Sequence, residues 1–283
     1  MSTRFGSVLG NEPLVLTGTG FSASAATTVK IDNRDCVVSA KSATSISCTT
    51  SNKPYKKDVP TLVIHIEGKG YVATKGKVFR YVSKWSSAQT WGYDISPQEG
   101  DMVNIPKGMH LLVDVDSTPI LSAVNVEGSL IFPPDSDPNH LRTFDAHIIL
   151  VKGGYMEIGT EEFRYTSKLT ITMHSKKYSP RIPIFGNKCI GVHYGTLEMH
   201  GVERSVTWTD LKTTAEAGAT SITLNDVTGA PLDWKVGEEI VIASTDYSGR
   251  NAEQRKITSI TDTGTNPVIT FDEPLLFKHY AGI

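Results

Sequence analysis

The chain has 283 residues, of which 39% are hydrophobic and 20% charged, the composition of an ordinary globular protein. Its 28 basic and 30 acidic residues give a formal charge of −2 without a basic stripe, which argues against nucleic acid as the main partner. The nearest basic run, KPYKKD at residues 53–58, is interpreted as a solvated loop. No run approaches the roughly 18 apolar residues of a membrane span, so we expect any transmembrane segment outside this sequence.

The opening MSTRFGSVLG lacks the apolar segment of a secretory signal, and the sequence stops at HYAGI without a closing turn. We therefore expect a piece of a larger protein. The sequence has no Asn-x-Ser/Thr acceptor, and Asn187-Lys188-Cys189 is only a weak one, so the glycosylation pattern stays open.

Residues 14–83 contain short alternating runs separated by turn residues, and such runs predict strands with one buried face. The runs are PLVLTGTGF, TTVKIDNRDCVV, TSISCTT, TLVIHIEGKGYVAT and KVFRYVS. Val29 and Ile31 share one face of their strand. Strands of this length and spacing predict an immunoglobulin-like β-sandwich over residues 1–84.

Two cysteines, Cys36 and Cys48, lie on consecutive predicted strands. On spacing alone, a disulfide that closes a small loop and a pair of buried thiols are equally good interpretations. A disulfide around a loop of this size would stabilise the fold by roughly 3 kcal/mol. Zinc binding is disfavoured because no second Cys or His pair has the required spacing.

The segment WSSAQTWG places two tryptophans, Trp85 and Trp91, at the start of the next region. We interpret them as a packing plug on the first layer of that region, because aromatic side chains bury large areas. A pair that stacks on a sugar is the alternative, but no cluster of carboxylates or amides accompanies them.

Residues 100–201 consist of apolar-alternating runs, most of them closed by glycine. The runs are SAVNVEG, HIILVKGG, YMEIG, KLTITMHS, CIGVHYG and TLEMHG. We expect the glycines to supply corners with positive φ and the runs to stack as short strands. The prediction is a parallel β-helix-like solenoid over residues 85–204, in which Val103 and Ile105 point inward.

Residues 205–283 depart from this rhythm and predict a small β-meander, a β-barrel-like subdomain. WTDLKTTAEAGATSITL is expected to hold a short helical turn. Ile240 and Ile242 share one face of a strand whose other face carries Val241 and Ala243, so this strand is expected to be covered on both sides. The predicted fold class is thus all-β throughout, with residues 85–283 forming one domain of two parts.

Several acidic side chains are available for chemistry, but nothing in the sequence pairs them. They are Asp114, Asp116, Glu157, Glu198 and Asp246. Asp114 and Asp116 are expected on one face of a strand, where extracellular β-solenoids can place calcium ligands. The simpler interpretation is a strand that shows its acids to water, since calcium needs six or more oxygens and only DSDP at residues 135–138 is near in sequence.

Histidines also punctuate the glycine-rich region, at His147, His174, His193 and His200. If Leu197 and Met199 point inward, His200 points outward, and by the same alternation so does His174. Aligned outward histidines can form a metal or acid–base site, whereas single exposed histidines are commoner. The third cysteine, Cys189, is interpreted as a buried thiol and not as a nucleophile.

No metalloprotease, serine-hydrolase, P-loop or dinucleotide motif is present. We therefore predict no catalytic residue, no metal site and no cofactor, and we leave the binding residues unassigned.

The stretch TRFGSVLGNEPLVLTGTGF, followed by VKIDNRDCVV and SISCTT, resembles an IPT/TIG domain. The resemblance covers nearly all of residues 3–83. In that family the two cysteines are usually bridged, which implies a Cys36–Cys48 disulfide.

Residues 85–279 resemble the G8 domain, named for eight glycines. The matching motifs are W…WG, EGDMVNIPKG, GSLIF, GGYMEIG, GTLEMHG and WKVGEEIVIASTDY. Nine glycines are candidates for the eight: Gly92, Gly100, Gly108, Gly128, Gly154, Gly159, Gly195, Gly201 and Gly237.

An IPT/TIG domain directly before a G8 domain resembles the ectodomains of the fibrocystin family more than those of hyaluronan-degrading G8 proteins. The resemblance implies a non-catalytic extracellular segment of a large single-pass surface receptor, at a cilium or stereocilium, with a structural or adhesive role and an unidentified protein or glycan ligand. The alternative is a module that binds or depolymerises hyaluronan.

Overall fold

Alternating apolar and polar residues produce short strands along the whole chain, and the all-β prediction is confirmed. The computed structural model describes residues 1, 3–53, 61–75, 77–179, 181–225, 232–261 and 265–282, so most of the predicted KPYKKD loop lies outside the described residues. Two compact units are present, Met1–Val202 and Glu203–Ile283. Within the described residues the helical elements are two 3-10 helices, Ala88–Trp91 and Gly249–Asn251.

The first unit begins with eight strands. They are β1 (Phe5–Ser7), β2 (Pro13–Thr17), β3 (Thr27–Ile31), β4 (Arg34–Lys41), β5 (Ser45–Thr50), β6 (Leu62–Ile66), β7 (Gly70–Tyr71) and β8 (Arg80–Lys84). Six of them form an antiparallel sheet in the order β2-β5-β4-β3-β6-β7. Asp32 and Asn33 join β3 to β4 with φ of 51° and 60°. Two consecutive positive φ values are typical of the tight hairpin turn that favours Asn and Asp.

The glycine-rich region contributes ten further strands. They are β9 (Met102–Ile105), β10 (His110–Leu112), β11 (Ala123–Val126), β12 (Ser129–Phe132), β13 (Leu141–Ala146), β14 (Ile149–Lys152), β15 (Tyr155–Ile158), β16 (Lys168–Met173), β17 (Ile190–His193) and β18 (Thr196–Met199). All pair in parallel, as three sheets with the orders β1-β8-β10-β12-β15-β18, β17-β14-β11-β9 and β13-β16. From β9 to β18, strands that follow one another in sequence belong to different sheets. Each time the chain returns to a sheet, it adds a strand beside the previous strand of that sheet.

The six-stranded parallel sheet includes strands from both parts of the first unit. β1 pairs with β8 through Phe5–Arg80 and its neighbours, and β8 pairs with β10 through Ser83–Leu111. Both faces of this sheet bury apolar side chains: Leu130 and Phe132 point into the main core, while Ile131 packs with Val82 and Leu112 on the other face. The sheet is therefore covered on both sides, as β-strands rich in apolar residues require.

Three corner glycines are required by space, and the expectation that these positions have positive φ is wrong for them. A Cβ on Gly128 would lie 2.3 Å from the carbonyl oxygen of Met109, one on Gly154 2.3 Å from that of Val126, and one on Gly195 2.8 Å from that of Gly154. Gly159 does have a positive φ, 73°. At Gly128, Gly154 and Gly195, the backbone of one strand connection occupies the space that a side chain of the following connection would need. Glycine fits there because it has no side chain.

The main core lies between the parallel sheets. Val103 and Ile105 are buried, which confirms the predicted inward face of β9. Leu169, Ile171 and Met173 also pack against this core. In contrast, Met199 is 58% exposed although it was expected to point inward. Its strand, β18, is the last of its sheet, so the core thins there.

The second unit is a four-stranded antiparallel sheet. Its strands are β19 (Ser221–Thr223), β20 (Glu239–Ile242), β21 (Glu253–Thr261) and β22 (Val268–Phe271), in the order β19-β22-β21-β20. Val241 is 72% exposed, so the expectation that β20 is covered on both sides is wrong. β20 is an edge strand, and only its Ile240 and Ile242 side pack on the core of this unit.

The helical turn expected within residues 208–224 is also absent from that segment, which is fully described. Ala215 instead forms an antiparallel bridge with His279, and Leu211 forms one with Leu224. Backbone pairing with distant residues thus overrides the local preference of AEAGAT for a helix.

Candidate functional site

The two aspartates considered as calcium ligands do not share a strand face. β10 ends at Leu112, so both residues lie in the following loop. Asp114 accepts hydrogen bonds from the backbone N–H and the hydroxyl of Ser86, at 2.9 and 2.6 Å. Asp116 lies 3.1 Å from Nε2 of His140. The two carboxylates therefore serve different local contacts.

The four histidines are not aligned in one row. His147 and His174 follow the neighbouring strands β13 and β16, and their ring centroids are 6.4 Å apart. Nε2 of His174 lies 2.6 Å from Oδ1 of Asp145. His193 is on β17 and His200 follows β18, in two other sheets. Among the described residues, no three His, Cys, Asp or Glu side chains form a group that could hold a metal ion.

The tryptophan pair serves packing. Trp85 is only 3% exposed and lies in the main core, where it contacts Phe144 edge to face. Nε1 of Trp91 donates a hydrogen bond to the carbonyl oxygen of Trp85 at 2.8 Å, and the two rings meet at 5.0 Å. Because the Trp85 ring is buried, it offers no face on which a sugar can stack.

The cysteines also have definite places. Cys36 on β4 and Cys48 on β5 are both buried. They form a disulfide with a Cα–Cα distance of 5.4 Å. Cys189 is half-buried, and not fully buried as expected, with its Sγ 3.1 Å from the carbonyl oxygen of Phe185. Asp246 accepts hydrogen bonds from Ser248 N–H and from Asn251 within an exposed turn.

The densest polar cluster lies on the outer face of the six-stranded parallel sheet. Glu157, on β15, has no exposed surface, and its carboxylate accepts a hydrogen bond from the guanidinium of Arg4 and lies 3.5 Å from that of Arg80. A buried carboxylate is stable only when such partners compensate its charge. No local sequence pattern indicates this contact, because Arg4 and Arg80 lie 153 and 77 positions away.

Glu198 is the register partner of Glu157 on β18, and the two are linked through Tyr155. The Tyr155 hydroxyl donates a hydrogen bond to the Glu198 carboxylate. Burial raises the pKa of Tyr155, and the hydrogen bond to Glu198 and the charge of Glu157 raise it further. The hydroxyl therefore stays protonated and acts as a donor between two carboxylates.

A half-buried histidine extends the same face. Nδ1 of His110, on β10, lies 2.9 Å from the Ser129 hydroxyl on β12. Burial lowers the pKa of His110 to about 4, and the positive charges of Arg80 and Lys53 act in the same direction. His110 is thus neutral at physiological pH.

The cluster of Arg4, Arg80, Tyr155, Glu157 and Glu198 holds the structure together and is not poised for proton transfer. General acid–base catalysis by two carboxylates needs both of them accessible to substrate. Glu157 has no exposed surface and is neutralised by two arginines. The arrangement can therefore anchor residues near the start of the chain onto β15.

The second unit contains its own buried ionic network, which no local sequence pattern indicates. Glu253 accepts hydrogen bonds from the backbone N–H groups of Leu276 and Phe277 and lies 2.9 Å from Nε2 of His279. Burial raises the pKa of Glu253, but these hydrogen bonds and the charge of Arg255 lower it by more, to about 2. Nδ1 of His279 lies 2.8 Å from the carbonyl oxygen of Ala243. The network joins the end of the second unit to β21.

No helix in the described parts of the chain is both long and apolar enough to cross a bilayer.

Comparison with known proteins identifies two domain families along the chain. Residues 1–81 match the family model of the IPT/TIG domain, and residues 90–212 match that of the G8 domain. Arg4 and Arg80 thus fall within the first match, and Glu157 within the second.

Curated relatives cover nearly the whole chain. It is 34% identical over 281 residues to Fibrocystin-L of Mus musculus, which is 99% of this chain and 6% of that protein. It is 30% identical over 253 residues to Fibrocystin of Canis lupus familiaris, 89% of this chain and again 6% of the relative. Protein rliB of Dictyostelium discoideum is 27% identical over 204 residues, 70% of this chain and 18% of the relative. The chain therefore spans a small part of the relatives it matches.

Proposed function

The chain carries an IPT/TIG domain followed by a G8 domain and resembles the fibrocystins over almost its whole length, and from this we propose that it is a non-catalytic extracellular segment of a large receptor-like surface protein. Its role is structural or adhesive. The protein crosses the membrane once, through a segment outside this sequence, and stands on the outer face of the plasma membrane of a cilium or stereocilium. Its ligand is an extracellular protein or glycan, and it needs no cofactor.

The buried ion pair between Arg4 and Glu157 is the observation that carries this proposal. Arg4 lies in the IPT/TIG match and Glu157 in the G8 match, so the pair joins the two matched regions. The carboxylate of Glu157 has no exposed surface. A parallel sheet runs through the same place, since β8 pairs with β10. Breaking a buried, compensated ion pair is costly, so this pair holds the two matched regions together, which suits a structural segment.

The proposed architecture has three parts. Residues 1–84 form an immunoglobulin-like sandwich, residues 85–204 a β-solenoid, and residues 205–283 a β-barrel-like meander. The alternation of β9 to β18 between parallel sheets supports the solenoid, because each parallel pairing requires the chain to return to the same side. β1 belongs to the parallel sheet and β2 to the antiparallel sheet. This division of the first strands between two sheets supports the sandwich.

Hyaluronan binding or depolymerisation is the second candidate. The adjacency of Glu157 and Glu198 across β15 and β18, with Tyr155 between them, favours it. Its weakness is the burial of Glu157, which leaves a glycan no access to that carboxylate.

An assay of hyaluronan size separates the two candidates. The chain is incubated with high-molecular-weight hyaluronan, with and without calcium, and the polymer is analysed by gel electrophoresis. The scaffold proposal expects no change of polymer length under either condition. Shortening that is lost in the Asp114→Asn/Asp116→Asn or the Glu198→Gln variant would overturn it in favour of the second candidate.

A further inference from the structure

One stretch of the chain is strongly basic although the chain as a whole is slightly acidic. Residues 163–197 contain no aspartate or glutamate, whereas the formal charge of the whole chain is −2. Their cations are Arg164, Lys168, Lys176, Lys177, Arg181 and Lys188. Because most of these cations are separated in sequence, they do not form a long run of adjacent charges.

Four of these cations lie within the loop that connects β16 to β17. Lys176, Lys177, Arg181 and Lys188 are all exposed. No ion pair among the described residues involves any of the four. Their charge is therefore directed to solvent and available to an anionic partner.

The tip of the loop presents an apolar side chain in a fixed position. Ile182 and Gly186 exchange backbone hydrogen bonds of 2.7 and 3.0 Å, and between them Ile184 is 96% exposed with φ of 74°. A positive φ is a genuine outlier for a β-branched residue. Such strain persists where the surrounding structure enforces it, and it is found most often at functional positions.

The base of the loop is held by side-chain hydrogen bonds. The Asn187 amide donates to the carbonyl oxygens of Lys176 and Ser179, at 2.7 and 3.2 Å. Phe185 packs against His193 of β17, with ring centroids 6.3 Å apart. The base of the loop is thus closed by hydrogen bonds within the loop, and Phe185 packs the loop onto β17.

Two exposed tyrosines belong to the same segment. Tyr178 is 89% and Tyr194 91% exposed, and Tyr194 lies against His193 at 4.4 Å. We call the four cations together with Tyr178, Ile184 and Tyr194 the basic loop surface. Exposed aromatic and apolar side chains framed by cations are typical of protein interfaces.

We propose that the basic loop surface binds an acidic polypeptide segment that also carries apolar side chains. The four cations attract the acidic residues, and Ile184 and the tyrosines contact the apolar ones. A polyanionic glycan offers little apolar surface to Ile184. A fluid bilayer gains nothing from the fixed backbone around it, whereas a polypeptide with a defined shape does.

An acidic polypeptide would be the partner of the proposed scaffold. Only this biological role, and not the binding itself, rests on the proposed function. Binding to a peptide is measured independently of hyaluronan turnover. Failure of one assay therefore leaves the other interpretable.

The test uses the full chain and two fluorescent peptides of equal charge, one of alternating Asp and Leu and one of alternating Asp and Ser. Fluorescence anisotropy reports binding. The Asp/Leu peptide is expected to bind more tightly, and added salt is expected to weaken it. Ile184→Gly, which suits the positive φ, and Lys176→Glu/Lys177→Glu are each expected to weaken binding about tenfold.

Matched controls change the same residue types elsewhere. Lys107→Glu alters an exposed lysine and Val236→Ser a 63% exposed apolar residue, and both are expected to bind as the unchanged chain does. Thermal unfolding of every variant checks that the fold is kept. Absence of peptide binding, or equal binding of both peptides without an effect of Ile184→Gly, overturns the proposal. Binding to phosphatidylserine–phosphatidylcholine vesicles or to hyaluronan that the Asp/Leu peptide does not displace assigns the surface to another partner and also overturns it.

Discussion

The guanidinium of Arg4 and the carboxylate of Glu157 are hydrogen-bonded across 153 positions of sequence, and the carboxylate has no contact with solvent. Arg80, on β8 of the same sheet, supports this carboxylate at 3.5 Å. Long-range pairs of this kind commit two distant parts of a chain to fold together.

Removal of one member of this pair should be costly. Arg4→Ala leaves Glu157 buried with only the more distant Arg80, and we expect the free energy of unfolding to fall by about 3 kcal/mol. Urea denaturation measures it. Lys30→Ala is the control, since the Lys30–Asp35 pair is exposed and should contribute less than about 1 kcal/mol. Equal stability of the two variants would contradict the prediction.

The stacked corner glycines predict a second large effect. In Gly154→Ala the new Cβ would lie 2.3 Å from the Val126 carbonyl oxygen and 2.6 Å from that of Gly128. Since backbone must move to relieve this contact, we expect a loss of at least about 1–3 kcal/mol, measured by the shift of the urea midpoint.

Gly201→Ala is the matched control for the corner glycines. No atom lies within 4 Å of a Cβ built on Gly201. This variant should unfold close to the midpoint of the unchanged chain. A Gly154→Ala protein as stable as Gly201→Ala would show that the parallel sheets can spread at this corner.

The second unit should lose stability in acid through Glu253. Its pKa, about 2 in the folded chain, lies below its ordinary value of 4.5. A carboxyl group with a lowered folded pKa stabilises the fold fully above its unfolded pKa, and this contribution is lost as pH falls from 4.5 towards 2. The protection factors of the Leu276 and Phe277 amides against hydrogen exchange, which correct for the pH dependence of intrinsic exchange, should therefore fall in this range, since both amides donate to Glu253.

Glu253→Gln tests the assignment of this acid transition. The amide keeps the shape of the side chain but does not titrate, so protection of the two amides should be weaker at neutral pH and nearly constant between pH 4.5 and 2. A variant with the same acid profile as the unchanged chain would place the transition on another group.

Much of the strand arrangement follows from local sequence. Runs such as SAVNVEG and YMEIG became β11 and β15 because alternation at period 2 places every second side chain in the core. The exposure of Val241 could not be predicted in the same way, since an apolar residue on each face fits both a covered and an edge strand. Which strand lies at an edge depends on pairing with distant residues.

The polar clusters were less predictable than the strands. The sequence shows Glu157 and Glu198 as available acids, but their roles depend on Arg4, Arg80 and Tyr155. An alternation pattern assigns a side chain to a face and does not say what covers that face. Similarly, Glu253 and His279 are 26 positions apart, and no sequence motif indicates that they are in contact.

The glycine corner also constrains how such a domain can grow. The carbonyl oxygen of Gly154 takes the volume that a side chain at position 195 would need, and the carbonyl of Gly128 does the same for position 154. A duplicated segment inserted into this series would have to bring its own glycine to the same place. Gain or loss of repeats during evolution is thereby restricted to units in which that residue is kept, whatever else in them changes.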